Sequence, residues 1–127
     1  MTFIHGNVPS SKNSKQWTGK FLINSKTVRN YLQKHEHQWG DEVWVKDRIP
    51  VPVIVGFHFV RDSHRKFDFH NAVQLCADLM VKHGWIDDDD MNHFIPVPFT
   101  IKGEWFSYNK EFPGVYIKIF EDLYELQ

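Results

Sequence analysis

The chain has 127 residues, 42% of them hydrophobic and 16% aromatic, with a single cysteine and a formal charge of −1. That size suits one domain with a real core and is too short for two, one cysteine excludes an internal disulfide framework, and no run approaches the roughly 18–20 apolar residues of a membrane span. The small net charge hides a split: residues 1–66 hold eleven Lys/Arg against five Asp/Glu, and residues 67–127 hold four against eleven.

The first strand is expected at residues 2–6, closed by Pro9 and a turn-forming run from Ser10 to Lys15. A second short strand is read at 21–23. Ser25 is placed to N-cap a helix over 26–38 ending near Gly40, with Val28, Tyr31, Leu32 and His35 on one face. Residues 51–60 form the strongest strand, Val53, Val55, Phe57 and Phe59 alternating with Ile54, Gly56, His58 and Val60. A charged loop over 61–67 follows.

Residues 69–83 predict a helix. Ala72, Val73, Cys76, Leu79, Met80 and His83 fall within about 120° of one another, a stripe that faces a core. Cys76 on that stripe reads as a small buried hydrophobe rather than a nucleophile. Asn71, Asp78 and Lys82 line one edge, with Gln74 beside them. Gly84 is a natural residue to follow the helix, and Trp85-Ile86 return apolar bulk to the core. Strands are expected at 94–101, pushed to a sheet edge by Pro96 and Pro98, and at 115–120.

Between Asp68, at the mouth of the helix, and Asp87-Asp88-Asp89-Asp90, beyond its end, lies the chemistry-bearing part of the chain. Four like charges in succession repel one another and are tolerated where a cation or solvent absorbs them. The candidate donors are oxygens, which suits a hard divalent ion such as Mg²⁺. The alternative is a solvated acidic loop tip. In an extended segment neighbours point to opposite faces, so at most two of the four can aim at one site. The histidines show no Cys/His spacing of a zinc site. With the acids a metal could neutralise set aside, the remainder is mildly basic, compatible with an anionic polymer as substrate.

The order Gly6-x-x-Pro9-Ser10-x-Lys12-Asn13-Ser14, a strand at 51–60, Arg65-Lys66-x-Asp68-x-x-Asn71, Asp78-Leu79 and Trp85-Ile86-Asp87-Asp88 resembles the RusA family of Holliday-junction resolvases, small endodeoxyribonucleases common in phages and prophages; the likeness spans roughly residues 2–120. It implies a single α+β domain over 1–127, a small mixed or antiparallel sheet with two main helices packed on it. It also implies a homodimer that cuts four-way DNA junctions symmetrically with Mg²⁺ or Mn²⁺, in recombination and repair, in the cytoplasm of a bacterial host. No membrane and no small-molecule cofactor are expected.

Carried over by motif, Asp68 and Asn71 match the first acid and the Asn of the family's Asp-x-Asp-Asn signature, and Asp88 matches its last essential acid, preceded by Asp87. His70 stands where a second Asp is usual, and Gln74 where a lysine often stands. Imidazole suits Mn²⁺ better than Mg²⁺. The resemblance thus assigns catalysis to Asp68 and Asp88, metal ligation to Asp68, His70, Asp87 and Asp88, and support to Asn71, Gln74 and Asp78. Against these stand an N-cap for Asp68, a surface role for His70 and an Asp78–Lys82 ion pair. Lys12, Asn13 and Ser14 are candidates to position phosphates, and Arg61, Arg65 and Lys66 to clamp the scissile one. Because His70 and Gln74 depart from the pattern, a branched-DNA-binding protein without catalysis is the alternative, and a phage nuclease acting on other DNA structures a third reading. Trp39, Trp44, Trp105, Phe106 and Tyr108 are candidates for an apolar dimer interface.

Overall fold

A computed structural model describes residues 1–10, 15–17, 22–41 and 50–120. Lys12, Asn13, Ser14, Phe21 and Trp44 lie outside them. The elements are β1 (Thr2–His5), β2 (Lys15–Trp17), β3 (Leu22–Asn24), α1 (Lys26–His35), α2 (His37–Asp41), β4 (Val53–Arg61), α3 (Phe69–Lys82), β5 (Phe94–Pro98), β6 (Ser107–Tyr108) and β7 (Gly114–Phe120). The fold is α+β. Its main sheet runs β1-β7-β4-β5, with β6 also on β4, and β2 pairs β3 separately.

The sheet is mixed. β7 is antiparallel to both β1 and β4, whereas β5 and β6 run parallel to β4. A parallel neighbour requires a crossover, and α3 supplies it between β4 and β5. β5 is the sheet edge, where Pro96 and Pro98 leave no central ladder short of a donor.

Both faces of β4 are buried, so its alternation does not mark a solvent face. Val53, Val55, Phe57 and Phe59 join Ala72, Val73, Cys76, Leu79 and Met80 of α3 in the core. On the other face, Phe99 and Phe120 approach Gly56 so closely that an added Cβ would lie 2.5 Å from one ring and 2.7 Å from the other. His58 is buried there as well. Its Nδ1 donates to the Phe99 carbonyl at 3.1 Å, which leaves Nε2 to accept from the Ser107 hydroxyl at 2.8 Å in the neutral ring.

The helix expected over 26–38 is broken at Glu36 into α1 and the short α2. Ser25 caps α1 as expected, its Oγ accepting from the Val28 amide. α2 turns Trp39 fully into the core, against Trp85 at 5.2 Å. Trp39 Nε1 donates to the Tyr31 hydroxyl and Trp85 Nε1 to the Trp39 carbonyl, so each buried indole is partnered. Trp39 is therefore unavailable to a dimer interface.

The exit of α3 follows the sequence expectation closely. Gly84 takes φ +78°, its amide bonds the Val81 carbonyl, and the Trp85 amide reaches back to Met80. This paired closure satisfies the last helical carbonyls and carries Trp85 and Ile86 into the core, leaving the four aspartates exposed. Among the described residues, no helix is long and apolar enough to cross a membrane.

Candidate functional site

The C-terminal end of β4, the loop after it and the start of α3 form one wall of a cleft. The loop after β1 forms the other. The cleft measures about 590 Å³ and is lined by Ser10, Arg61, Arg65, Lys66, Asp68 and Asn71 among others.

Asp68 is the N-cap of α3. Its Oδ1 accepts from the amides of His70 at 2.9 Å and Asn71 at 3.3 Å, satisfying two donors that the first helical turn leaves open. A carboxylate has about four acceptor positions on two oxygens, so capping leaves it capacity for a further ligand. Asn71, one turn into α3, donates from Nδ2 to the Ser10 carbonyl at 3.2 Å and joins the two walls.

Arg61 is also a wall-to-wall tie. It is buried, donates to the Val8 carbonyl at 2.6 Å, reaches the Ser10 hydroxyl at 3.5 Å and lies over the Phe67 ring at 4.7 Å. Burial lowers its pKa, with the neighbouring Asp62 acting in the opposite direction. With its fork spent on the Gly6–Ser10 loop, Arg61 holds that loop against the site, and the cations exposed toward a ligand are Arg65 and Lys66. The Asp62 amide bonds Asn7 Oδ1 at 3.0 Å and fastens the same loop.

The acidic run sits elsewhere along α3. Gln74 Nε2 donates to Asp78 Oδ1 at 2.9 Å and to Asp89 Oδ2 at 3.2 Å, which brings the run to the helix six residues past Asp68, about 9 Å further along its axis. Asp88 Oδ1 accepts from the Asp89 amide, and Asp90 pairs with His93. That carboxylate raises the His93 pKa. None of the four aspartates lines the cleft. His70 is exposed, its ring edge-on to Phe69.

Asp78 does not pair with Lys82. Lys82 Nζ lies 2.6 Å from Glu36, which also bonds His83 Nε2 at 2.8 Å. The reason is tertiary: α1 ends beside the last turn of α3, and a carboxylate facing both Lys82 and His83 outcompetes one on Lys82's own helix, which Gln74 already engages. The Glu36 carboxyl is thereby held below the usual range, mainly by the Lys82 hydrogen bond.

Among the described residues, no three His, Cys, Asp or Glu side chains stand close enough together to hold one ion. The structure thus brings Asp68, Asn71, Arg61, Arg65 and Lys66 to one cleft and Gln74, Asp78 and Asp89 to a neighbouring stretch of α3. The sequence reading missed the tie from Arg61 to the β1 loop. Its only local signal is the Phe67 ring six residues on. A comparison of the chain with protein-family models, with curated proteins and with solved structures finds no match in any of the three.

Proposed function

We propose that the protein is a RusA-like, metal-dependent endodeoxyribonuclease acting on branched DNA, resolving four-way junctions as a homodimer. The observation that carries this reading is Asp68: a carboxylate fixed in direction by two backbone amides, at a cleft whose exposed cations are Arg65 and Lys66. Asp68 is the oxygen donor at the helix end that this chain offers to Mg²⁺ or Mn²⁺ there, with Asp62 also lining the cleft. With no triad of ligands among the described residues, it fits such an ion only alongside water and substrate phosphate, the usual situation for Mg²⁺. A divalent cation so bound supplies Lewis acidity toward water and phosphate oxygens. Arg65 and Lys66 hold the phosphate, Asn71 and Arg61 keep the β1 loop closed against it, and no protein nucleophile is required. Asp88, the second acid that the resemblance assigns, stands on the acidic run outside the cleft, so the proposal rests on Asp68.

One observation favours a second reading, a branched-DNA-binding protein without hydrolysis. The Gln74 amide is engaged with Asp78 and Asp89, so the position where a catalytic lysine would stand serves structure. A labelled four-way junction incubated with Mg²⁺ and, separately, Mn²⁺ decides between them. Cleavage by the native protein but not by Asp68→Asn, with junction binding retained or tightened by the lost negative charge, is the expected result. Undiminished cleavage by Asp68→Asn refutes the assignment, and a retarded junction with no product in either metal selects the second reading.

A further inference from the structure

A second depression, about 470 Å³, adjoins the cleft and is lined by His5, Lys34, His35, Glu111 and Phe112 among others. Asn7, Thr27 and Asp62 border both, so cleft and depression lie side by side as neighbouring stretches of one grooved surface. One exposed large ring lines it and two more stand beside it. Phe112, 65% exposed, lines the second stretch. Phe106, 52% exposed, packs edge-on at 5.1 Å against Phe67, which lines the first. Tyr108 stacks at 3.9 Å on His64, in the segment that carries Arg65 and Lys66.

The loop bearing these rings is tied down. The Asn109 amide donates to the Arg61 carbonyl at 2.9 Å, and Asn109 Oδ1 accepts from the Glu111 and Phe112 amides at 3.1 Å each. Rings presented on such a loop lose little freedom when something stacks on them.

Two kinds of surface expose several aromatics together. The core of an apolar protein interface excludes charge. Here the rings alternate with exposed Lys102, Glu104, Lys110 and Glu111, which disfavours a second copy. Unpaired nucleotides fit better, because each presents a flat base to a ring and a phosphate to a cation. Duplex DNA hides its base faces in its own stack. Lys34 stands at one end of the groove and Arg65 and Lys66 at the other.

We propose that this groove binds an unpaired stretch of DNA, with bases stacked on Phe106 and Phe112 and phosphates met by Lys34, Arg65 and Lys66. The inference rests on the cleft being a DNA-binding surface and is independent of hydrolysis.

Fluorescence anisotropy in EDTA tests it, using a dye-labelled oligothymidine, a blunt duplex of the same length and a four-way junction. The oligothymidine should bind more tightly than the duplex. Phe106→Ala and Phe112→Ala should each weaken it about tenfold while changing duplex affinity less than about twofold. Phe112→Leu, which keeps apolar bulk without a ring, should weaken it as Ala does, and Phe112→Trp should not. Val51→Ala, another exposed apolar position, is the control, with melting curves confirming that every variant is folded. Equal binding of the two linear DNAs, unaffected by the ring variants, overturns the stacking groove and leaves the cleft reading standing. Failure to bind any of the three DNAs overturns both. A ring variant that halves the sedimenting mass but keeps full oligothymidine affinity identifies the rings as a contact between copies of the chain and overturns the inference.

Discussion

Asp68 holds a helix end and, in the proposed function, a cation, and two substitutions separate the roles. Asp68→Ala removes the oxygen that accepts from the His70 and Asn71 amides. Losing an N-cap costs about 1 kcal/mol, and losing a carboxylate at a partly exposed helix N-terminus adds about 0.5 kcal/mol. Asp68→Asn keeps an equivalent acceptor and loses only the charge, a cost of about 0.5 kcal/mol. For a chain of 127 residues, the usual unfolding entropy makes each kcal/mol worth about 4 °C in Tm. Scanning calorimetry should therefore place Asp68→Ala about 6 °C below the native protein and Asp68→Asn about 2 °C below. Equal losses in the two variants, or none in either, refute the cap. If the ordering holds, a cleavage defect in Asp68→Asn is a defect of chemistry in a folded protein.

Gly56→Ala should lower stability by about 1–3 kcal/mol, because its Cβ would meet Phe120 at 2.5 Å and Phe99 at 2.7 Å; Phe99→Leu in that background should recover part of the loss, and an unchanged urea midpoint contradicts the packing. Glu36, held below the usual carboxylate range by Lys82 and then His83, contributes stability that is present above that range and lost as the pH falls through the lower folded value. Glu36→Gln should therefore melt lower than the native protein near neutrality and converge with it in acid. Cys76, fully buried, has its thiol pushed up by desolvation, so the native protein should resist thiol reagents that label it at once in denaturant.

Local signals determined much of this protein. The 3.6-residue stripe, Asp68 before it and Gly84 after it set α3 to within one residue at its C-terminal end, because capping and periodicity act over a few neighbours. The prolines at 96 and 98 placed β5 at an edge for the same reason: a missing donor is a property of the residue itself. Only the tertiary structure decided where charge found its partners. Lys82 faces Glu36 from another helix, Arg61 is drawn inside by a carbonyl 53 residues away, and Gln74 ties Asp78 to Asp89. The same holds for the parallel pairing of β4 with β5, the two-residue β6 and the grooved surface lined by α1 and by the segments after β1, β4 and β6. Each is an alignment of segments distant in the chain, and the free energy that selects it resides in contacts no local pattern encodes.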